Sequence, residues 1–166
     1  VRRRRRWGQA DTTSGWQRSQ PLASWAVRTL VVLPTYNEAD NIADFLAAVR
    51  SAAPAAEILV VDDNSPDGTG GIADRTAAQL GNITVLHRAG KAGLGAAYRH
   101  GFTVAFEQGY EIIVSMDSDF SHDPNVIPAM VSLIEGGADV VVGSRYVPGG
   151  GTVNWPIHRR LLSRWG

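Results

Sequence analysis

The chain has 166 residues, 44% of them hydrophobic, with sixteen basic and sixteen acidic side chains and no cysteine. This length supports one domain with a real core, and the lack of cysteine excludes disulfides, thiolate chemistry and cysteine zinc sites without fixing a compartment. The zero net charge is a sum of opposed blocks: seven arginines against one acid over 1–28 (+6), five bases against fifteen acids over 29–144 (−10), and four arginines with no acid over 145–166 (+4).

Residues 1–28 read as a disordered basic tail. The run Arg2 to Arg6 is succeeded by polar and small residues with isolated Trp7, Trp16 and Trp25, and no period would bury one face. A membrane or nucleic-acid patch is the other reading of such a run. The residues after the arginines lack the apolar stretch of an export signal, and no run approaches the roughly 18 apolar residues of a membrane span. A start at Val1 and an end at Gly166, directly after a helical pattern, read as a fragment.

From residue 29 the pattern becomes regular. β-Branched runs begin at Thr29, Glu57, Ile83, Glu111 and Asp139, separated by 28, 26, 28 and 28 residues. That interval fits a strand plus a crossover helix, and continuous apolar runs fit strands covered on both faces. Helical spacing is visible in Ile42, Phe45, Leu46 and Val49, in Leu94, Ala97, Tyr98, Phe102 and Ala105, and in Ile127, Met130, Val131 and Ile134. Asp123-Pro124 caps the last of these, and Pro156 opens a further helix bearing Ile157, Leu161 and Trp165. The expectation is an α/β fold, an open and mostly parallel sheet with helices on both faces and ligands at the carboxyl ends of its strands.

The residues after those strands are P-T-Y-N-E (34–38), D-D-N-S-P-D-G-T (62–69), R-A-G-K-A-G-L-G (88–95), D-S-D-F-S-H-D-P (117–124) and G-S-R-Y (143–146). Six acids, Glu38, Asp62, Asp63, Asp67, Asp117 and Asp119, thus gather at one edge, where their repulsion needs cations or donors. Asp117 and Asp119 can present oxygen to a hard divalent cation, Mg²⁺ or Mn²⁺, which would neutralise nucleotide phosphates. Taken alone, D-x-D in a loop serves equally to cap the next helix. Asp63 stands where a nucleotide fold sets an acid against base or ribose, while Ser65 to Gly68 builds a turn. Gly90, Gly93 and Gly95 around Lys91 could cradle phosphate or simply open a helix; they are neither a Walker A nor a dinucleotide fingerprint. His122 is a ligand or, with more weight, a capping partner, and His87, His100 and His158 receive no role. Arg145 suits an anionic oxygen.

In this order and spacing, P-T-Y-N-E, V-V-D-D-x-S-P-D-G-T, G-L-G-A-A-Y, M-D-S-D-F-S-H-D-P and G-S-R-Y resemble the dolichol-phosphate (polyprenol-phosphate) mannosyltransferases. These are family-2 inverting glycosyltransferases with the A-type, Rossmann-like nucleotide-sugar fold. The resemblance covers about 29–165 and implies a glycosyltransferase domain over 29–166, truncated at its C-terminal end. It implies that Pro34, Tyr36, Glu38, Val61 and Asp63 hold the nucleotide. Asp117, Ser118 and Asp119 would sit at the diphosphate and sugar, with Asp119 the principal ligand of Mg²⁺ or Mn²⁺ and Asp117 and Ser121 beside it. Some relatives have Gln where Ser121 stands. Arg145, Arg159 and Ser163 match residues that bind the acceptor phosphate, and Arg145, Asp117 and Asp119 form the implied catalytic set.

The implied reaction moves mannose from GDP-mannose to a polyprenyl monophosphate lipid with inversion. A lipid phosphate is anionic near neutral pH, so binding arginines rather than a strong base are expected, as the 145–166 block provides. Leu161 stands where a processive synthase would carry Gln, and Ser144-Arg145 stand where a receiver domain would need Lys. The implied setting is peripheral, at the cytoplasmic face of a membrane, with room for an anchoring partner protein and no nucleic-acid partner. A related transferase using another nucleotide sugar, or an inactive nucleotide-binding fragment, are the other readings.

Overall fold

The computed structural model describes residues 27–144. Strands and helices alternate: β1 (Thr29–Thr35), α1 (Ile42–Ala52), β2 (Glu57–Asp62), α2 (Thr69–Leu80), β3 (Ile83–His87), α3 (Leu94–Glu107) and β4 (Ile112–Ser115). A 3-10 turn at Pro124–Val126 then runs into α4 (Ile127–Glu135). Three strands start where their β-branched runs start and β4 starts one residue later. Asp123 caps the turn as its position before Pro124 implies, its Oδ1 accepting from the Asn125 N–H at 2.9 Å.

All strand pairs are parallel and the order is β3-β2-β1-β4. The chain therefore lays β1, β2 and β3 outward in one direction and returns past β1 to place β4 on its other side. Val31 pairs with Ile58 on one flank and with Val114 on the other. Alternate residues serve opposite layers. Val31, Leu33, Ile58, Val60 and Val114 pack with Ile42, Phe45, Leu46 and Val49 of α1, Ala73 of α2, and Ile127 and Val131 of α4. Leu30, Val32, Leu59 and Val61 pack with Ala97 and Ala105 of α3. Right-handed crossovers keep α1 and α2 on one face while strands advance one way, and the reversal puts α3 on the other. At Gly101 the helix nearly touches the sheet: a Cβ there would lie 2.5 Å from Val32 Cγ1, so only glycine fits.

Three differences from the sequence reading have physical causes. Helix α2 is implied by the strand interval but shows no apolar stripe, because the residues it buries are Thr69, Gly70, Ala73 and Thr76, too small and polar to mark a face. Residues 139–144 form no strand, and Val140 is 77% exposed. A β-branched run becomes a strand only where a neighbour takes its backbone hydrogen bonds, and among the described residues β4 pairs with β1 alone. Arg28, grouped with the tail by its charge, is tied into the fold. It donates to Gln108 O at 2.6 Å and Glu57 Oε1 at 3.2 Å, and its guanidinium lies 4.2 Å from the Tyr110 ring centre. Residues 1–26 of the tail and the helix expected after Pro156 lie outside the described residues.

Candidate active site

The strand order fixes where a ligand fits. Beyond Val32↔Ser115, the last β1–β4 pair, lies the point where the strand order reverses, and a crevice opens there at the carboxyl edge. The structure has a cleft of about 350 Å³ there. Its walls are Pro34 and Thr35 at the end of β1 with Tyr36 and Glu38 just after it, Asp63 after β2, Lys91, Leu94 and Ala97 at the entry of α3, and Asp117, Ser118 and Asp119 after β4. Pro34 lies past the end of the β1–β4 ladder, where a missing N–H costs no sheet hydrogen bond.

The β1–α1 loop is held by side chains of the β2–α2 loop. Backbone N–H groups of Asn37, Glu38 and Ala39 donate to Ser65 Oγ (3.2 Å), Thr69 Oγ1 (2.9 Å) and Asp67 Oδ2 (3.0 Å). Asn37 and Asn64 adopt φ of 61° and 55°, left-handed values that asparagine tolerates. Asp67 also accepts from the Thr69 hydroxyl and N–H. Desolvation, which alone would raise its pKa, is outweighed by these donors and the Ala39 N–H, and the carboxyl is held below its ordinary value. Asp62, 2% exposed, accepts from Thr35 Oγ1 (3.0 Å), Ser65 N–H (3.1 Å) and Ser65 Oγ (2.5 Å). Asp63, 4% exposed, is bound by the Arg88 guanidinium and accepts from the Ala92 N–H at 3.3 Å.

The acids after β4 are placed differently. Asp117 Oδ1 accepts from Tyr98 Oη at 3.0 Å, and the Asp117 N–H donates to His122 Nδ1 at 3.1 Å. Burial first, then the Asp117 charge, push the Tyr98 phenol well above its ordinary pKa, so it stays a donor. Asp119 is exposed at the rim, where its Oδ1 accepts from the Ser121 N–H at 2.9 Å. Burial would raise its pKa, but hydrogen bonds from Ser121 and the nearby His122 prevail and keep it below the ordinary carboxylate range. It is anionic throughout the neutral range. Phe120 has φ 59° and sets its ring edge-on against Phe45, 5.0 Å between centres. A left-handed aromatic residue is strained, and here a fully buried core ring holds it in place.

Of the residues singled out in the sequence, Pro34, Tyr36, Glu38, Asp63, Asp117, Ser118 and Asp119 converge on the cleft. The Val61 side chain is fully buried in the core beneath it, and Ser121, an exposed residue outside the lining, caps Asp119 through its backbone. Arg145, Arg159 and Ser163 lie outside the described residues. His122 takes the capping role. The sequence reading missed Thr35, Tyr98 and Arg88: Tyr98 stands out only as a core-facing helix residue, and Arg88 meets Asp63 across 25 positions. Among the described residues no three His, Cys, Asp or Glu side chains cluster to hold a metal. The donors fit a hard cation shared between one or two carboxylates and a ligand's phosphate oxygens, as Mg²⁺-type ions commonly are.

A parallel sheet with this switch point and these carboxylates is an A-type glycosyltransferase fold. A mannosyltransferase of Pyrobaculum calidifontis, solved with GDP-Man and Mn²⁺, is similar to it at TM-score 0.52 and 26% identity, over 63% of this chain and 32% of that one. Glucosyl-3-phosphoglycerate synthase of Mycobacterium tuberculosis shares the fold at TM-score 0.57 and 23% identity, over 84% of this chain and 50% of that one. The chain belongs to glycosyl transferase family 2, whose family model matches residues 30–166. It is 49% identical to a polyprenol monophosphomannose synthase of Mycolicibacterium smegmatis over 138 residues, 82% of this chain and 52% of that protein. It is also 47% identical to an undecaprenyl-phosphate mannosyltransferase of Micrococcus luteus over 137 residues, 82% of this chain and 56% of that protein. The chain thus spans about half the length of these relatives. No described helix is long and apolar enough to cross a membrane.

Proposed function

We propose that this chain carries the donor-binding part of a metal-dependent transferase that moves mannose from GDP-mannose to a polyprenol (dolichol-type) monophosphate, with inversion. The observation that carries the reading is the cleft at the β1–β4 switch point, with Asp117, Ser118 and Asp119 on one wall and Tyr36 and Asp63 on the others. Similarity to two polyprenyl-phosphate mannosyltransferases supports the acceptor and the sugar. Similarity to a mannosyltransferase solved with GDP-Man and Mn²⁺ supports the donor.

In this reading Pro34, Tyr36, Glu38 and Asp63 line the path of base and ribose, and Val61 supports it from the core beneath. Asp117 and Asp119, with Ser121 behind them, would hold Mg²⁺ or Mn²⁺, which when bound stabilises charge on the departing diphosphate. Tyr98, donating to Asp117 Oδ1, fixes the orientation of that carboxylate. The acceptor attacks from the opposite face in one displacement, and being an anionic phosphate near neutral pH it needs no strong base. Arg145, Arg159 and Ser163 would hold that phosphate, a role that suits a protein working peripherally at a membrane surface, in this reading its cytoplasmic face, alone or with an anchoring partner.

The test is product formation with polyprenyl phosphate and Mn²⁺, comparing GDP-mannose with UDP-sugars. Mannosyl-lipid from GDP-mannose, lost in excess EDTA, is expected. Exclusive use of a UDP-sugar overturns the donor, and nucleotide binding without transfer marks this length of chain as a binding fragment.

A further inference from the structure

The cleft wall carries the acids Glu38, Asp63, Asp117 and Asp119, and Lys91 is the basic side chain among its lining residues. Arg88, three positions earlier in the same loop, is largely buried and committed to Asp63. Lys91, by contrast, forms no hydrogen bond or ion pair among the described residues. Its ammonium rests on the face of Tyr36, with Nζ 3.7 Å from the ring centre. A cation on an aromatic face at an exposed site is held by only about 0.5–1 kcal/mol.

Two features set this lysine to meet an incoming anion. It lies between Gly90 and Gly93 in the loop before α3, and Gly93, the residue before the helix, has φ 88°, which favours glycine. Leu94 and Ala97 in the first turn of α3 line the same cleft, so the N-terminal end of a 14-residue helix, the positive end of its dipole, borders it with the lysine. An anion entering there meets a charged amine held weakly by one ring.

We propose that Lys91 is a binding residue for the diphosphate of the nucleotide, leaving the Tyr36 face to bond phosphate oxygen when donor enters. This rests on the reading of the cleft as a nucleotide-sugar site and adds a protein cation, drawn from the glycine-rich loop, to the proposed metal. A diphosphate so held departs with part of its charge already paired, and the exchange of a ring contact for a charge-assisted hydrogen bond favours the occupied state.

Isothermal titration with the full chain in Mn²⁺ tests it, using GDP, guanosine, UDP and uridine as probes on wild type, Lys91→Met and Lys91→Arg. Lys91→Met is expected to weaken GDP about tenfold or more while guanosine stays within about twofold, and Lys91→Arg to retain most GDP affinity. Unchanged GDP affinity in Lys91→Met overturns the assignment. So does an equal loss for GDP and guanosine, which would place the lysine's effect on Tyr36 and the base. If the wild type takes UDP and not GDP, the donor reading fails, and UDP against uridine judges Lys91 in the same way. A wild type that binds neither diphosphate overturns both.

Discussion

The loops after β2 and β4 each carry acids at the same edge of the sheet, yet they use them in opposite ways. After β2, Asp62, Asp63 and Asp67 are consumed by the protein: three hydrogen bonds from Thr35 and Ser65, an arginine, and the donors of Thr69 and Ala39. After β4, Asp117 and Asp119 each meet only neutral donors, Tyr98 and Ser121, and keep their charge facing the cleft. One loop is a scaffold that positions its neighbour, and the other is a source of negative field. Carboxylate count alone does not separate them. What separates them is whether the chain supplies enough donors of its own.

Removing an acid from each loop breaks the contrast most sharply. Asp119→Ala is expected to lower Mn²⁺-dependent GDP affinity by more than about a hundredfold, with urea unfolding within about 0.5 kcal/mol of the wild type, as for an exposed site. Asp62→Ala does the reverse. It orphans three donors, and a loss of about 2–4 kcal/mol in urea unfolding is expected. If Asp119→Ala unfolds the protein, or Asp62→Ala leaves its stability intact, the division of labour is wrong.

Tyr98→Phe is a finer probe, since the ring stays and only the hydroxyl on Asp117 goes. If Asp117 holds the metal as proposed, loss of the partner that orients it is expected to weaken Mn²⁺-dependent GDP binding by about tenfold, with a shift of about 1 kcal/mol in unfolding. Equal Mn²⁺ dependence in variant and wild type would show that the hydroxyl serves packing alone.

The smallest effect lies in acid. Asp67 has a native pKa below its ordinary 3.8, so the native state binds its proton less readily than the unfolded chain. Its contribution is present above 3.8 and fades as pH falls through the lower native value. Amide exchange at Asn37 to Ala39, corrected for intrinsic rates, is expected to quicken across that window, and Asp67→Asn to remove the step. A pH-independent profile in the wild type would deny the link.

The sheet was legible because its strands are unbroken β-branched runs at nearly constant intervals, and the edge was legible because strand ends in such a sheet point one way. Tyr36, Asp63, Asp117 and Asp119 could be placed at one cleft on those grounds. Their partners could not. The pairing of Asp63 with Arg88, and of Asp117 with Tyr98, depends on how β3 and α3 fold back past β1, which no local pattern encodes. Helix α2 hid because it packs through small residues, and the run at Asp139 misled because a strand is a property of two chain segments.

Gly101 has one more consequence. It sets how closely α3 lies on β1, and it is three residues from Tyr98, about 4.5 Å along the helix. Ala97 and Leu94 of the same helix form part of the cleft wall. The helix is in effect one rigid part, seated at Gly101 and read out at the Asp117 carboxylate. The fit of Gly101 against Val32 thereby also sets the fit of the cleft wall one turn away.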